Sequence, residues 1–138
     1  MKAHQISLVN KISELEKLRD TLENLCSQWS LSPAICMSVN LALEEAFTNI
    51  VNYAFDDQMP HDISMEFSYA ENQLKVVIAD DGKPYDPTRQ TAPDISLPAK
   101  ERPIGGLGVF LIKKIMDDVS YERTSNQNKL YLTKHINQ

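Results

Sequence analysis

At 138 residues the chain is long enough to bury a core and too short for two well-developed domains, so its motifs are expected to serve one site in a single domain spanning 1–138. Lys and Arg total 14 against 19 Asp and Glu, a formal charge of -5, which disfavours direct binding to nucleic acid or to an anionic membrane and leaves a protein or a small molecule as the default partner. No apolar run reaches the roughly 20 residues that span a bilayer, and Lys2, His4 and Gln5 break any signal-peptide pattern at the start.

A short strand is expected over residues 4–9. From 11 to 29 the apolar residues Ile12, Leu15, Leu18, Leu22, Leu25 and Trp29 recur at steps of three and four, the spacing of an amphipathic helix. Ser32 as a cap and Pro33 in the first turn start a second helix that runs to about Tyr53. It is apolar on most sides and hence expected to be largely buried. Cys26 and Cys36 fall inside these helices without C-x-x-C or Cys/His ligand spacing, so they read as two buried reduced thiols, which favours the cytoplasm.

Residues 63–69 and 74–79 are strand-like, and the four residues between them suit a hairpin. Between Asp80 and Ile104 the chain carries Pro84, Pro87, Pro93, Pro98 and Pro103 with little periodicity. A loop this long in a compact domain is usually functional or disordered, and a lid is expected at about 81–104. Gly105 to Gly108 open a third helix with Val109, Leu111, Ile112, Ile115 and Met116 as its apolar positions. Strands at 119–123 and 130–136 flank a Thr-Ser-Asn-Gln-Asn turn. This order segregates helices from strands and predicts an α+β two-layer sandwich, a mixed and mainly antiparallel sheet with helices on one face.

Three places carry candidate chemistry. On the second helix Glu45, Asn49 and Asn52 are spaced by four and three residues and share a face; a carboxylate and amide oxygens there suit Mg2+ or a water, and satisfied helix-edge polar groups are the alternative. At a strand end, Asp80-Asp81-Gly82 offers a carboxylate that can accept from an exocyclic amine such as that of adenine, with a glycine that lets a base approach the backbone; an ordinary Asp-Gly turn explains the same residues. Gly105-Gly106-Leu107-Gly108 leads into a helix whose positive end and backbone N–H groups can face phosphate oxygens. It is neither a Walker A loop nor a dinucleotide fingerprint, and a flexible helix start is the alternative.

In this order the three elements resemble the GHKL ATPase superfamily, and in particular the bacterial anti-sigma factors that are serine-protein kinases. The resemblance rests on Glu-Glu-Ala-Phe-Thr-Asn at 44–49, Asp-Asp-Gly-Lys-Pro-Tyr-Asp-Pro at 80–87 and Arg-Pro-Ile-Gly-Gly-Leu-Gly-Val-Phe-Leu-Ile at 102–112. It implies ATP and Mg2+ as cofactors, with Asn49 as the metal ligand, Glu45 orienting or deprotonating the attacking hydroxyl, and Asp80 reading adenine. Gly82 would shape the base pocket, and Gly106 and Gly108 would serve the phosphates. Lys100 and Arg102 are the candidates for a basic lid residue on the phosphates. The implied partners are a STAS-type anti-anti-sigma protein, a sigma factor and a second copy of the chain, with no nucleic acid and no membrane.

The chain departs from the superfamily pattern at Tyr53, where His is frequent, and at Pro84, where a second glycine is frequent. Neither position is a proposed metal ligand or the adenine acceptor. Two other functions compete with the kinase: a nucleotide-gated binding module that sequesters a regulator, and a detached histidine-kinase ATP domain. The latter is disfavoured because His4, His61 and His135 lie on no recognisable phosphoacceptor helix.

Overall fold

The computed structural model describes residues 2–89 and 106–136. Their order is β1 (Lys2–Val9), α1 (Leu15–Gln28), α2 (Pro33–Tyr53), β2 (Asp62–Ala70), β3 (Gln73–Asp80), α3 (Gly106–Ile115), β4 (Asp118–Thr124) and β5 (Gln127–His135), with single 3-10 turns at Ile12–Glu14 and Pro87–Arg89. The helix expected from residue 11 thus begins as a 3-10 turn. There the Glu14 carboxylate accepts from the Val9 N–H at 3.0 Å.

The strands form one sheet in the order β1-β2-β3-β5-β4. Every described pairing is antiparallel, so the mixed sheet expected from the sequence is a purely antiparallel one. Two-residue turns make this possible: Glu71 and Asn72 join β2 to β3, Ser125 and Asn126 join β4 to β5, and all four have positive φ, as a turn matched to strand twist requires. The helices cover one face. Ile63, Met65 and Phe67 of β2, Leu74, Val76 and Ile78 of β3 and Leu132 of β5 join Leu18, Leu22, Leu43, Phe47 and Ile112 of the helices in a single core. Each such side chain contributes roughly 1.5–3 kcal/mol on burial, and together they fix where α2 and α3 lie over β3 and β5.

α2 starts where expected, with the Ser32 hydroxyl accepting from the Ile35 N–H at 3.3 Å and Pro33 in the first turn. By length and composition it is the one described helix able to cross a bilayer, although no uninterrupted apolar run suggested this. It is here the central core helix, with Val39, Ala42, Leu43, Ala46 and Phe47 buried. Its apolar character nonetheless extends to the surface, where Met37 is 75% exposed and Leu41 41% exposed, so burial is less complete than expected.

The two cysteines are not free thiols. Cys26 and Cys36 form a disulfide with their Cα atoms 6.3 Å apart. The cause is the end of α1: the Leu31 N–H donates to the Cys26 carbonyl at 2.9 Å and the Ser30 N–H to the Ser27 carbonyl at 3.4 Å, with Ser30 at φ 56°. This double helix stop reverses the chain and brings the first turn of α2 back over Cys26. The inference of a reducing compartment drawn from free thiols loses that support.

Candidate functional site

Between α2, α3 and the ends of β3 and β5 lies a pocket with a free interior of about 30 Å³, space for a water or two, with Asn49, Asp80, Tyr85, Tyr121 and Asn128 among its polar lining residues. Core packing puts them there. Asn49 follows Phe47 on the buried side of α2, and Asp80 is the last residue of β3, where the alternation that buries Leu74, Val76 and Ile78 continues. Asn49 and Asp80, 8% and 4% exposed, are thus brought into one cavity from separate stretches of sequence.

Asn49 has an orphan donor among the described residues. Its Nδ2 is buried without a hydrogen-bond partner among the described residues, a costly state for a buried amide that a ligand acceptor in the pocket would relieve. The Asp80 carboxylate is half satisfied. Oδ1 accepts from the Gly82 N–H at 2.9 Å and from Asn128 Nδ2 at 3.0 Å, while the described residues give Oδ2 no partner. Burial pushes the Asp80 carboxyl above its ordinary range, opposed by the hydrogen bonds from Asn128 and Gly82; the Asp81 charge raises it further and Arg123 draws it down.

Gly82 has a tighter reason to be glycine than base access. A Cβ there would lie 2.6 Å from both the Cβ and the carbonyl oxygen of Ala54, the residue that caps α2, and 2.9 Å from Asp80 Oδ1. The next residue holds the same helix end, since the Lys83 N–H donates to the Ala54 carbonyl at 2.9 Å. Arg123 of β4 donates to the Gly82 carbonyl at 2.7 Å, and Lys113 of α3 to the Thr88 carbonyl at 2.6 Å. The beginning of the expected lid is therefore anchored at Gly82, Lys83 and Thr88. Residues 90–104, including the candidates Lys100 and Arg102, lie outside the described residues.

Other expected residues divide by place. Gly106 is the first residue of α3 and Gly108 lies in its first turn, so both sit at the positive end of a helix whose Ile112 lines the pocket. Glu45 is one turn before Asn49, half buried, and is not among the pocket's lining residues. Asn52 is exposed, so the three-residue face read from spacing spans three different environments.

Sequence reasoning missed Asn128, Tyr85 and Tyr121. Asn128 was hidden in a segment read as a turn, yet it stands directly opposite Asp80 in the β3–β5 pairing. Tyr85 lines the pocket with its hydroxyl buried and unpartnered among the described residues. Burial raises its pKa, and neighbouring Tyr53 adds to the effect. His61 also gains a place: Nδ1 is 3.2 Å from Asp81 Oδ1 and Nε2 is 2.8 Å from Asp57 Oδ2, with its ring stacked on Phe55 at 4.2 Å.

The sequence profile of the histidine kinase-like ATPase domain family matches residues 8–134. The serine/threonine-protein kinase BtrW of Bordetella bronchiseptica is 31% identical over 114 residues, covering 83% of this chain and 80% of that protein. The serine-protein kinase RsbW of Listeria monocytogenes is 33% identical over 124 residues, covering 87% and 78%. Among solved structures, the RsbU and RsbW domains of a Mycobacterium tuberculosis protein superpose with a TM-score of 0.72 at 11% identity, over 100% of this chain and 33% of that one. The histidine kinase domain of a blue-light activated kinase from Erythrobacter litoralis gives 0.55 at 14% identity, over 91% and 60%. This chain therefore spans about a third of the first solved chain and less than two thirds of the second, and at those identities the likeness is one of fold.

Proposed function

The chain belongs to the histidine kinase-like ATPase domain family, and on that footing we propose that it is an ATP-dependent serine/threonine-protein kinase acting as an anti-sigma factor, which phosphorylates a STAS-type anti-anti-sigma protein and sequesters a sigma factor. The observation that carries the ATP site is the convergence of Asn49 and Asp80 on one pocket. The kinase names of the similar proteins support phosphoryl transfer. A homodimer and a cytoplasmic setting belong to the same proposal.

In this reading Asp80 Oδ2 accepts from the adenine amine, and the backbone N–H groups at the start of α3, from Gly106 to Gly108, face the phosphates. Lys100 and Arg102 add charge from the lid. Mg2+ fits Asn49: the buried side-chain amide has no partner at Nδ2 among the described residues and can present either end to the pocket. The ligand proposed from the protein is an amide oxygen, which suits an ion that keeps waters and phosphate oxygens. When bound, Mg2+ would neutralise charge on the phosphates. Glu45 orients the seryl hydroxyl and takes its proton as the oxygen bonds to the γ-phosphorus and ADP leaves.

A second reading, a nucleotide-gated binding module without transfer, is favoured by one observation: Glu45 stands outside the pocket lining. Radiolabelled ATP with a copurified STAS-type protein separates the two. Under the kinase reading, Glu45→Ala keeps nucleotide binding and loses most transfer, whereas Asn49→Ala impairs both. A wild-type protein that binds ATP and the partner yet transfers no phosphate rules out the kinase and leaves the module.

A further inference from the structure

We propose that Asn128 is the positioning residue for base selectivity, tying off one oxygen of the Asp80 carboxylate so that the other is held as an acceptor for the adenine amine and against the carbonyl of guanine. This rests on the ATP reading of the pocket and deepens it. Adenine carries an amine donor where guanine carries a carbonyl acceptor, so a fixed, acceptor-only oxygen at that point separates the two bases.

The geometry of Asn128 suits it to this. An asparagine side chain has two N–H donors and two acceptor lone pairs, and all four are engaged. Nδ2 donates to Asp80 Oδ1 at 3.0 Å and to the Lys83 carbonyl at 2.9 Å. Oδ1 accepts from the Tyr85 N–H at 3.3 Å and from the Tyr121 hydroxyl at 2.5 Å. The Tyr85 N–H can only donate and the Lys83 carbonyl can only accept, so the amide cannot turn over without losing both. Its donor end is thereby committed to Asp80.

Asp80 is correspondingly fixed. With the Gly82 N–H and Asn128 Nδ2 both on Oδ1, rotation of the carboxylate would break two hydrogen bonds in a buried place. Those donors also favour the ionised form against burial. The charges that bear on it are Asp81, next in the chain, and Arg123 of β4. Without Asn128, Oδ1 keeps the Gly82 N–H alone; the carboxyl then turns or protonates, and a protonated carboxyl can donate to the guanine carbonyl.

The test measures ATP and GTP binding by calorimetry for wild type, Asn128→Ser, Asp80→Asn and the double variant. Wild type is expected to prefer ATP, and Asn128→Ser to narrow the ATP-to-GTP affinity ratio by about tenfold. In the Asp80→Asn background the same change should leave the ratio where Asp80→Asn put it, because Asn128 acts through Asp80. A merely structural role weakens both nucleotides alike and leaves the ratio intact, and that result overturns the proposal, as does an equal narrowing in both backgrounds. Should Asn128→Ser fail to fold, Tyr121→Phe carries the test, since it removes one hydrogen bond to Asn128 and should narrow the ratio to a smaller extent; an unchanged ratio there is equally fatal. A wild-type protein that binds neither nucleotide overturns the ATP reading together with this proposal, whereas selective wild type with an equally selective Asn128→Ser overturns this proposal alone.

Discussion

Gly82 and Ala54 stand so close that a Cβ on residue 82 would lie 2.6 Å from the Ala54 carbonyl oxygen, which is itself held by the Lys83 N–H at 2.9 Å. Backbone cannot retreat as the tip of a long side chain can. Gly82→Ala is therefore expected to cost roughly 2–3 kcal/mol through overpacking and displacement of the helix end. Urea denaturation reads this directly, and a midpoint equal to wild type would show that the contact is slack.

His61 gives a pH dependence with a definite window. Both ring nitrogens face carboxylate oxygens, and only the imidazolium can donate to both. The hydrogen bond to Asp57 raises the His61 pKa above its ordinary 6.5. The Asp57 pKa falls below its ordinary 3.8, first through the Met59 N–H and then through His61. The histidine contribution is complete below 6.5 and disappears as pH rises through its raised folded value; the aspartate contribution is complete above 3.8 and disappears as pH falls through its lowered one. The difference in melting temperature between wild type and His61→Ala should accordingly be largest at weakly acidic pH and shrink on the alkaline side. A difference that grows with pH contradicts the paired geometry.

Tyr85 should trade stability against binding. Its buried hydroxyl has no partner among the described residues, so Tyr85→Phe is expected to stabilise the nucleotide-free protein by about 1 kcal/mol. If the nucleotide satisfies the hydroxyl, the same variant binds ATP several-fold more weakly. Thermal melts and titrations of one preparation give both quantities, and a loss of stability without nucleotide would mean that the hydroxyl already has a partner.

The disulfide links α1 to α2 across a sequence separation of 10. On the chain-entropy account, a link of this span is worth about 2–3 kcal/mol. Reduction with dithiothreitol, or Cys36→Ser, should lower the melting temperature by a corresponding amount, with the reduced wild type and the variant agreeing. An unchanged melt on verified reduction shows that α1 and α2 hold together by packing alone.

The elements were legible because their signals are local. Ser32 and Pro33 announce α2, and the alternation through Ile63, Met65 and Phe67 announces β2. Asn49, Asp80 and Gly82 stood out locally, but their proposed roles came from the resemblance to the GHKL superfamily, and only the fold brings Asn49 and Asp80 into one cavity. Asn128 did not stand out: its neighbours read as a turn, and only the pairing of β5 with β3 sets it across from a residue 48 positions away. The disulfide was hidden by Ser30, which takes the positive φ where glycine would have marked a chain reversal. The packing constraint on Gly82 was hidden because it comes from Ala54, a residue with no signal of its own.

The opposition of Asp80 and Asn128 also bears on when the protein becomes able to recognise its ligand during synthesis. The helix bearing Asn49 and the hairpin bearing Asp80 can form from the first part of the chain, whereas β5 emerges from the ribosome after every other described element. A nascent chain lacking β5 has an Asp80 carboxylate with no Asn128 to hold it. Nucleotide meets its full pocket, whose wall includes Asn128 and Leu130 of β5, only when the sheet is complete, so a ribosome-bound chain should gain most of its ATP-dependent protease resistance once β5 has cleared the exit tunnel.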